Sequence, residues 1–338
     1  KMKPNKVDRN SAFSMNIQDP DSLDDKSAIV NTLTIDNRLI IFKTSTIYQG
    51  LTADTIDPQK QHPETRHSYE KLYSIGANNS YVARMIIQFK EILELTIQDI
   101  ILREKLLSHV WKANKLLLEC ENSHYSIYKD VMKLMPRCDG IIEVHKTRQT
   151  IPALPKVGDL EKHVEYFLNS GKLFLIAAYE ILHIMYQMPF KDHEESYFDK
   201  HREWIKNNFG ANDPIFLLLD QDKDWVNLVS NMRNAIPHSA ERYKVEIENI
   251  TIKPGNKFSP PGWRYDITKN ALGKQIEFSD LIYDLNVYLN NFLTFFEGLL
   301  ILCVKKELDN QHSFLDVYRI KEEDIRPECP IVYIVNKK

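Results

Sequence analysis

Cysteine is scarce in this chain and dispersed where it occurs. The four cysteines, Cys120, Cys138, Cys303 and Cys329, lie far apart and form no Cys-x-x-Cys pair, the spacing found in many zinc and redox sites. A structural zinc site or a disulfide framework is therefore not expected. This usage of cysteine favours a reducing compartment, and we expect the protein in the cytoplasm.

Glycine and net positive charge are also in short supply. Only 10 glycines occur in 338 residues, which favours long regular elements, and they form no Gly-rich phosphate loop that would indicate a nucleotide cofactor. No cofactor is expected. The formal net charge is −3, so contact with nucleic acid must come from a local site rather than from a general basic surface.

Long apolar runs are absent as well. Runs such as Leu173–Ile184 are interrupted by Tyr179, Glu180 and His183, which makes them too short and too polar to span a membrane. The first 28 residues are polar and charged and show no signal peptide. With 43% hydrophobic and 10% aromatic residues, the composition is typical of a folded soluble protein without membrane contact.

Helical periodicity dominates the middle of the chain, and short β-rich runs flank it. Helices are expected over about 81–120, 126–135, 160–188, 194–209, 215–234 and 278–308. Hairpins are expected within 28–50 and 243–267, and Ile331–Val335 predicts a strand able to pair with the first hairpin. The fold class is therefore mainly α, a helical bundle with small β-hairpin decorations at the N-terminus, after helix 215–234 and at the C-terminus. The predicted domains are a polar arm with a hairpin and a linker over 1–79, a bundle over 80–308, and a tail over 309–338.

One stretch carries a chemical pattern. Asn231–Ser239 reads N-M-R-N-A-I-P-H-S and places Arg233, Asn234 and His238 within six residues. Arginine keeps its charge and presents a planar fork suited to phosphate oxygens, and histidine carries protons near neutral pH. Together they suit phosphodiester chemistry without a metal.

A polar stripe leads along the helix to this stretch. Asp224, Asn227, Asn231, Asn234 and His238 are spaced 3, 4, 3 and 4 residues apart, so helical geometry aligns them on one face. Asn and Asp are poor helix formers and favour a polar cleft, with Asn227 and Asn231 as substrate-binding candidates. A solvent-facing strip on a core helix is the simpler alternative.

Proline ends this helix close to the motif. Pro237 removes a backbone donor and disfavours helical geometry at Ile236. In a continuous helix, Arg233 and His238 would lie about 140° apart. A break between them lets both side chains turn towards the same space.

Arg233, Asn234, three variable residues and His238, at the end of a bundle helix, resemble the R-x4-6-H motif of the HEPN superfamily. The resemblance implies a helical bundle over roughly 80–308 that acts as a metal-independent endoribonuclease and dimerises so that two motifs meet. Many members belong to prokaryotic toxin, abortive-infection and antiviral systems. The implied partners are RNA, a second copy of the chain, and an antitoxin or regulatory protein.

The resemblance also implies roles for the motif residues. His238 would act as general base or acid on the ribose 2′-OH or the leaving 5′-oxygen. Arg233 would bind the scissile phosphate and stabilise its developing charge, and Asn234 would orient His238 or bond a phosphate oxygen. The attacking 2′-OH restricts such chemistry to RNA, and the expected product is a 2′,3′-cyclic phosphate.

Other interpretations of these residues stay open or are disfavoured. A non-catalytic HEPN-like module could bind RNA, a nucleotide or a protein partner with the same residues, or Arg233 and His238 could satisfy each other within a scaffold. The segment with His193 and His201 has no metal-ligand spacing and favours a solvated helix, so no metal is expected. His183 favours a hydrogen-bonded core position.

Overall fold

The chain is built mainly from helices. The computed structural model describes residues 27–35, 38–189, 197–235, 244–266 and 275–338; 57% of them are helical and 19% lie in strands, which confirms the mainly α class. The helices are α1 (Ala53–Ile56), α2 (Ser80–Val82), α3 (Gln88–Thr96), α4 (Ile100–His145), α5 (Leu160–Tyr186), α6 (Phe198–Phe209), α7 (Pro214–Ala235) and α8 (Leu281–Asn310). The strands are β1 (Ile29–Ile35), β2 (Arg38–Lys43), β3 (Ile47–Leu51), β4 (Ser68–Tyr73), β5 (Lys244–Glu248), β6 (Thr251–Lys253), β7 (Lys257–Ser259), β8 (Gly262–Asp266), β9 (Gln275–Asp280), β10 (Leu315–Arg319) and β11 (Tyr333–Lys337).

The chain divides into two compact units. Unit 1 contains the described residues up to Trp111 together with Val304–Lys338, and unit 2 contains Lys112–Cys303. These divisions lie inside α4 and α8 and differ from the boundaries at 79/80 and 308/309 suggested by composition. Because the apolar periodicity of α4 and of α8 continues through these positions, composition does not reveal the residue at which one compact unit ends and the other begins.

Unit 1 contains a four-stranded antiparallel sheet in the order β1-β2-β3-β4. The expected β1–β2 hairpin is present, with Ile35 opposite Arg38. The part of the 1–79 arm that follows the first hairpin was expected to be a linker, and this was wrong, because β4 pairs with β3 in this segment. Ser68–Tyr73 is an edge strand whose residues are all exposed or half-buried, so its sequence carries little of the apolar signal of a central strand.

The C-terminal hairpin also belongs to unit 1. Strand β11 pairs with β10, not with the N-terminal hairpin as the sequence suggested, because its antiparallel neighbour lies close by in the chain. A buried glutamine ties this segment down: Gln88 Oε1 accepts hydrogen bonds from the backbone N–H groups of Val332 and Tyr333 at 2.7 and 2.8 Å. Gln88 directly follows a π-helical turn, Ala83–Ile87.

Helix α4 is longer than the sequence predicted. A separate short helix over 126–135 and an open connection from 138 were expected, because Pro136 and Gly140 disfavour helix. The helix instead runs to His145 with Pro136 inside it. Buried side chains recur at helical spacing on both sides of the proline, at Ile127, Val131, Leu134 and Cys138. Burial of that stripe offsets the lost backbone bond.

The core of unit 2 is an aromatic cluster that joins three helices. Phe292 of α8 lies 6.2 and 5.2 Å, centroid to centroid, from Phe167 and Phe174 of α5, and 5.7 Å from Trp225 of α7. Gly171 allows α5 to approach, because a Cβ there would lie 2.8 Å from Phe292 Cζ. The cluster therefore fixes α5 and α7 beside each other.

The small sheet of unit 2 has the order β5-β8-β9, so the predicted second hairpin is confirmed. Strand β9 was not expected. Because it extends to Asp280, α8 begins at Leu281 rather than at the predicted residue 278. Among the described residues, only α8 is long and apolar enough to cross a membrane, with a mean hydropathy of 1.7 over a window that is 67% buried. A core helix has the same composition, so the absence of membrane contact stays a prediction.

Candidate functional site

Helix α7 positions the motif residues, and local chemistry determines where it begins. The Asp213 carboxylate accepts a hydrogen bond from Ile215 N–H at 2.9 Å, and Pro214 is the first helical residue, the start that the sequence predicted. The buried side of the helix comprises Ile215, Leu219, Val226, Val229, Met232 and Ala235. Arg233 consequently lies in the last turn, beside this apolar side.

The polar stripe of α7 is only partly covered. Asp224 is exposed, and Asn227, Asn231 and Asn234 are half-buried. His238 lies outside the described residues. The described part of the site therefore consists of Arg233, Asn234 and the residues that contact them.

Arg233 is held by amides rather than by a carboxylate. Its Nε donates to Asn169 Oδ1 on α5 at 2.8 Å, and its Nη1 lies 3.4 Å from Asn234 Oδ1. These two contacts use two of the five N–H donors of the guanidinium group. An amide orients the fork without neutralising its charge.

Lys172 on α5 is a second cation at this site. Its Nζ donates to Asn234 Oδ1 at 3.2 Å, so the same amide oxygen contacts both cations. Burial, and secondly the Arg233 charge, lower the pKa of Lys172. Both causes disfavour its charged form, and no described acidic group acts in the opposite direction.

No carboxylate neutralises this pair within the part of the chain that the structure describes. Elsewhere in unit 2, cations meet acidic partners: Arg202 Nη1 lies 2.6 Å from Asp220 Oδ1 and Lys112 Nζ 3.6 Å from Glu180 Oε2. Arg233 and Lys172 take part in no such ion pair with a described residue. Two close, half-buried cations with no counter-charge among the described residues favour an anionic ligand.

The remaining predicted residues are aligned with the site but not bonded to it. Asn231 and Asn227 lie about one and two helical turns from Asn234 on the same stripe of α7. No hydrogen bond between described residues joins either of them to Arg233 or Asn234. Lys172 and Asn169 were missed by sequence reasoning, because they become relevant only through the packing of α5 against α7.

Two histidines form a separate packed pair in unit 2. The Nε2 atoms of His183 and His201 lie 2.7 Å apart, so the prediction that His183 is hydrogen-bonded is confirmed, although the residue is half-buried rather than part of the core. His201 is only 1% exposed, so the expectation of a solvated helix was wrong at this position, which faces His183. His193 lies outside the described residues. Within the described parts of the chain, no group of three or more His, Cys, Asp or Glu side chains is arranged to hold a metal.

Comparison of the chain with protein-family models, with curated proteins and with solved structures finds no match. The chemistry of Arg233 and of the residues around it is therefore what indicates a function for this chain.

Proposed function

We propose that this protein is a metal-independent endoribonuclease of the HEPN type that acts as a homodimer. The observation that carries the proposal is the state of Arg233, a half-buried cation oriented by the Asn169 amide and paired with no described carboxylate. A phosphate oxygen is the natural partner of such a guanidinium. Bound to the scissile phosphate, Arg233 stabilises the charge that develops in the transition state.

The proton transfers are assigned to His238. It follows Arg233 by five residues, and Pro237 between them disfavours a continuous helix. His238 takes the proton of the 2′-OH or delivers one to the leaving 5′-oxygen, and a 2′,3′-cyclic phosphate is formed. Asn234 orients these groups, and Asn227 and Asn231 bind substrate along the stripe. A role in a toxin, abortive-infection or antiviral system, with an antitoxin or regulatory partner, belongs to the same proposal.

The test is cleavage of a mixed RNA pool in EDTA, with analysis of the product ends. We expect cyclic-phosphate ends from the wild type and a loss of about 10²-fold or more in rate for His238→Ala and for Arg233→Ala. Matched controls are His62→Ala and Arg137→Ala, at exposed positions, which should cleave at the wild-type rate. Thermal unfolding of each variant checks that its fold is intact.

Two results would overturn the nuclease assignment. Cleavage that survives both substitutions would come from another site or from a contaminant. RNA binding by a folded wild type without any cleavage would instead favour a non-catalytic HEPN-like module that binds RNA, a nucleotide or a protein.

A further inference from the structure

The amide oxygen of Asn234 occupies the position between two cations. Lys172 Nζ lies 3.2 Å from it and Arg233 Nη1 3.4 Å from it. The oxygen carries only a partial negative charge, which is too little to balance two positive ones. Within the described residues no carboxylate supplies the remainder, so an anionic oxygen at this position would be bound more strongly than the amide.

We propose that Lys172 and Arg233 together bind one phosphate group of single-stranded RNA, with Lys172 as the second phosphate ligand. The inference rests on the proposed function, since it names another group that holds the substrate of the same site. The Asn234 oxygen marks the position that a phosphate oxygen takes. Asn234 turns aside when the phosphate arrives and remains available to donate to it through its amide nitrogen.

The surrounding helices fix both cations before any ligand binds. Lys172 and Asn169 are three residues apart, so they share one face of α5, and Asn169 aligns the guanidinium of Arg233 at 2.8 Å. From another side of α5, Ser170 Oγ donates to Glu119 Oε2 of α4 at 3.0 Å. Gly171 contacts the buried ring of Phe292. These contacts restrict rotation of α5 and hold Lys172 towards α7.

The two cations suit a phosphate better than a carboxylate ligand. Arginine presents a planar fork that can bond two oxygens of one phosphate, whereas lysine acts as a compact point charge with rotatable donors. A tetrahedral phosphate has an oxygen for each cation and still joins the RNA chain through the others. Because the formal net charge of the protein is −3, local pairs of cations of this kind must attract the RNA backbone.

The experiment measures binding separately from cleavage. The probe is a fluorescent 2′-fluoro oligoribonucleotide, which keeps an RNA-like backbone but lacks the attacking hydroxyl, and the readout is fluorescence anisotropy at several salt concentrations. We expect Lys172→Gln to weaken binding about tenfold, since a charge-assisted hydrogen bond is lost. The slope of log affinity against log salt should fall in magnitude by about 0.7, the value for one phosphate contact in a single strand.

Two further variants make the result specific. Lys172→Arg keeps the charge and should stay within about threefold of the wild type, which would show that binding depends on the positive charge at position 172. Lys162→Gln lies on the same helix with an 80% exposed side chain and should bind as the wild type does. Thermal unfolding of all variants accompanies the titrations.

The outcomes separate this proposal from the nuclease assignment. Wild-type affinity and salt slope in Lys172→Gln, or no binding by the folded wild type, would overturn the role of Lys172. Binding that depends on Lys172, in a protein that cleaves no unmodified RNA, would support the two-cation phosphate site while the nuclease assignment fails.

Discussion

At the scale of the residue, Lys172 couples binding to pH. Burial and then Arg233 lower its pKa, whereas a bound phosphate would favour its charged form. We expect affinity for the 2′-fluoro RNA to fall as pH rises through this lowered pKa, before an ordinary lysine loses its proton. Arg233 keeps its charge over that range, so Lys172→Arg should show a flatter profile. Anisotropy titrations from about pH 7 to 10 measure both. Identical profiles for the two proteins would contradict the prediction.

The stability of the free protein should respond in the opposite direction. The unfolded chain binds the Lys172 proton more tightly than the folded protein does, because the folded pKa is the lower one. The contribution of Lys172 to the free energy of unfolding therefore rises with pH between the folded pKa and the ordinary lysine value. Urea unfolding of the wild type against Lys172→Gln isolates this contribution, and a difference that does not change with pH would contradict it.

The sequence identified one half of the site and could not identify the other. Arg233, Asn234 and His238 form a local pattern, so their spacing and the nearby proline are visible in one dimension. Lys172 and Asn169 lie more than sixty residues earlier in an ordinary amphipathic helix. Their relevance depends on which face of α5 meets α7, and that is decided by Gly171 and the ring of Phe292 rather than by any linear motif.

At the scale of the element, two glycines in helices have opposite roles. A Cβ at Gly171 would lie 2.8 Å from Phe292 Cζ, whereas Gly140 has nothing within 4 Å of its Cβ position. We expect Gly171→Ala to lower the free energy of unfolding by about 1–2 kcal/mol, since overpacking exceeds the gain in helix propensity. Gly140→Ala should raise it by up to about 1 kcal/mol. Urea denaturation measures both, and a stabilised Gly171→Ala would mean that the Phe292 ring moves aside at little cost.

The extents of elements were predictable where one physical signal dominated. The start of α7 was predicted correctly because Asp213 and Pro214 act locally. At α5 the expected start at 160 was also right; the Asp159 side chain makes no capping hydrogen bond there, and its carboxylate pairs with Lys162 at 2.7 Å. The end of α4 was wrong because tertiary burial around Pro136 outweighs the local cost of proline. Local signals therefore locate helix starts better than they locate breaks.

At the scale of the whole molecule, Gln88 connects distant parts of the chain. Its side chain is fully buried and accepts from the N–H groups of Val332 and Tyr333. We expect Gln88→Leu to lower the free energy of unfolding by about 2–4 kcal/mol, because two backbone donors lose their acceptor. Gln98→Leu, at an exposed position, should change it by less than about 0.5 kcal/mol. Equal urea midpoints for the two variants would show that water replaces the Gln88 oxygen.

The composition of unit 1 has a consequence for synthesis on the ribosome. Its first part ends at Trp111 and its second begins at Val304, and the bond from Gln88 to Val332 closes a separation of 244 residues. Unit 2 is continuous in sequence and is translated entirely between these two parts. Domains complete in the order in which their residues emerge, so unit 2 can finish folding while unit 1 still waits for its last strands. A released chain that ends near residue 320 would therefore contain every residue of unit 2, including the Arg233 site, but would lack strand β11 of unit 1.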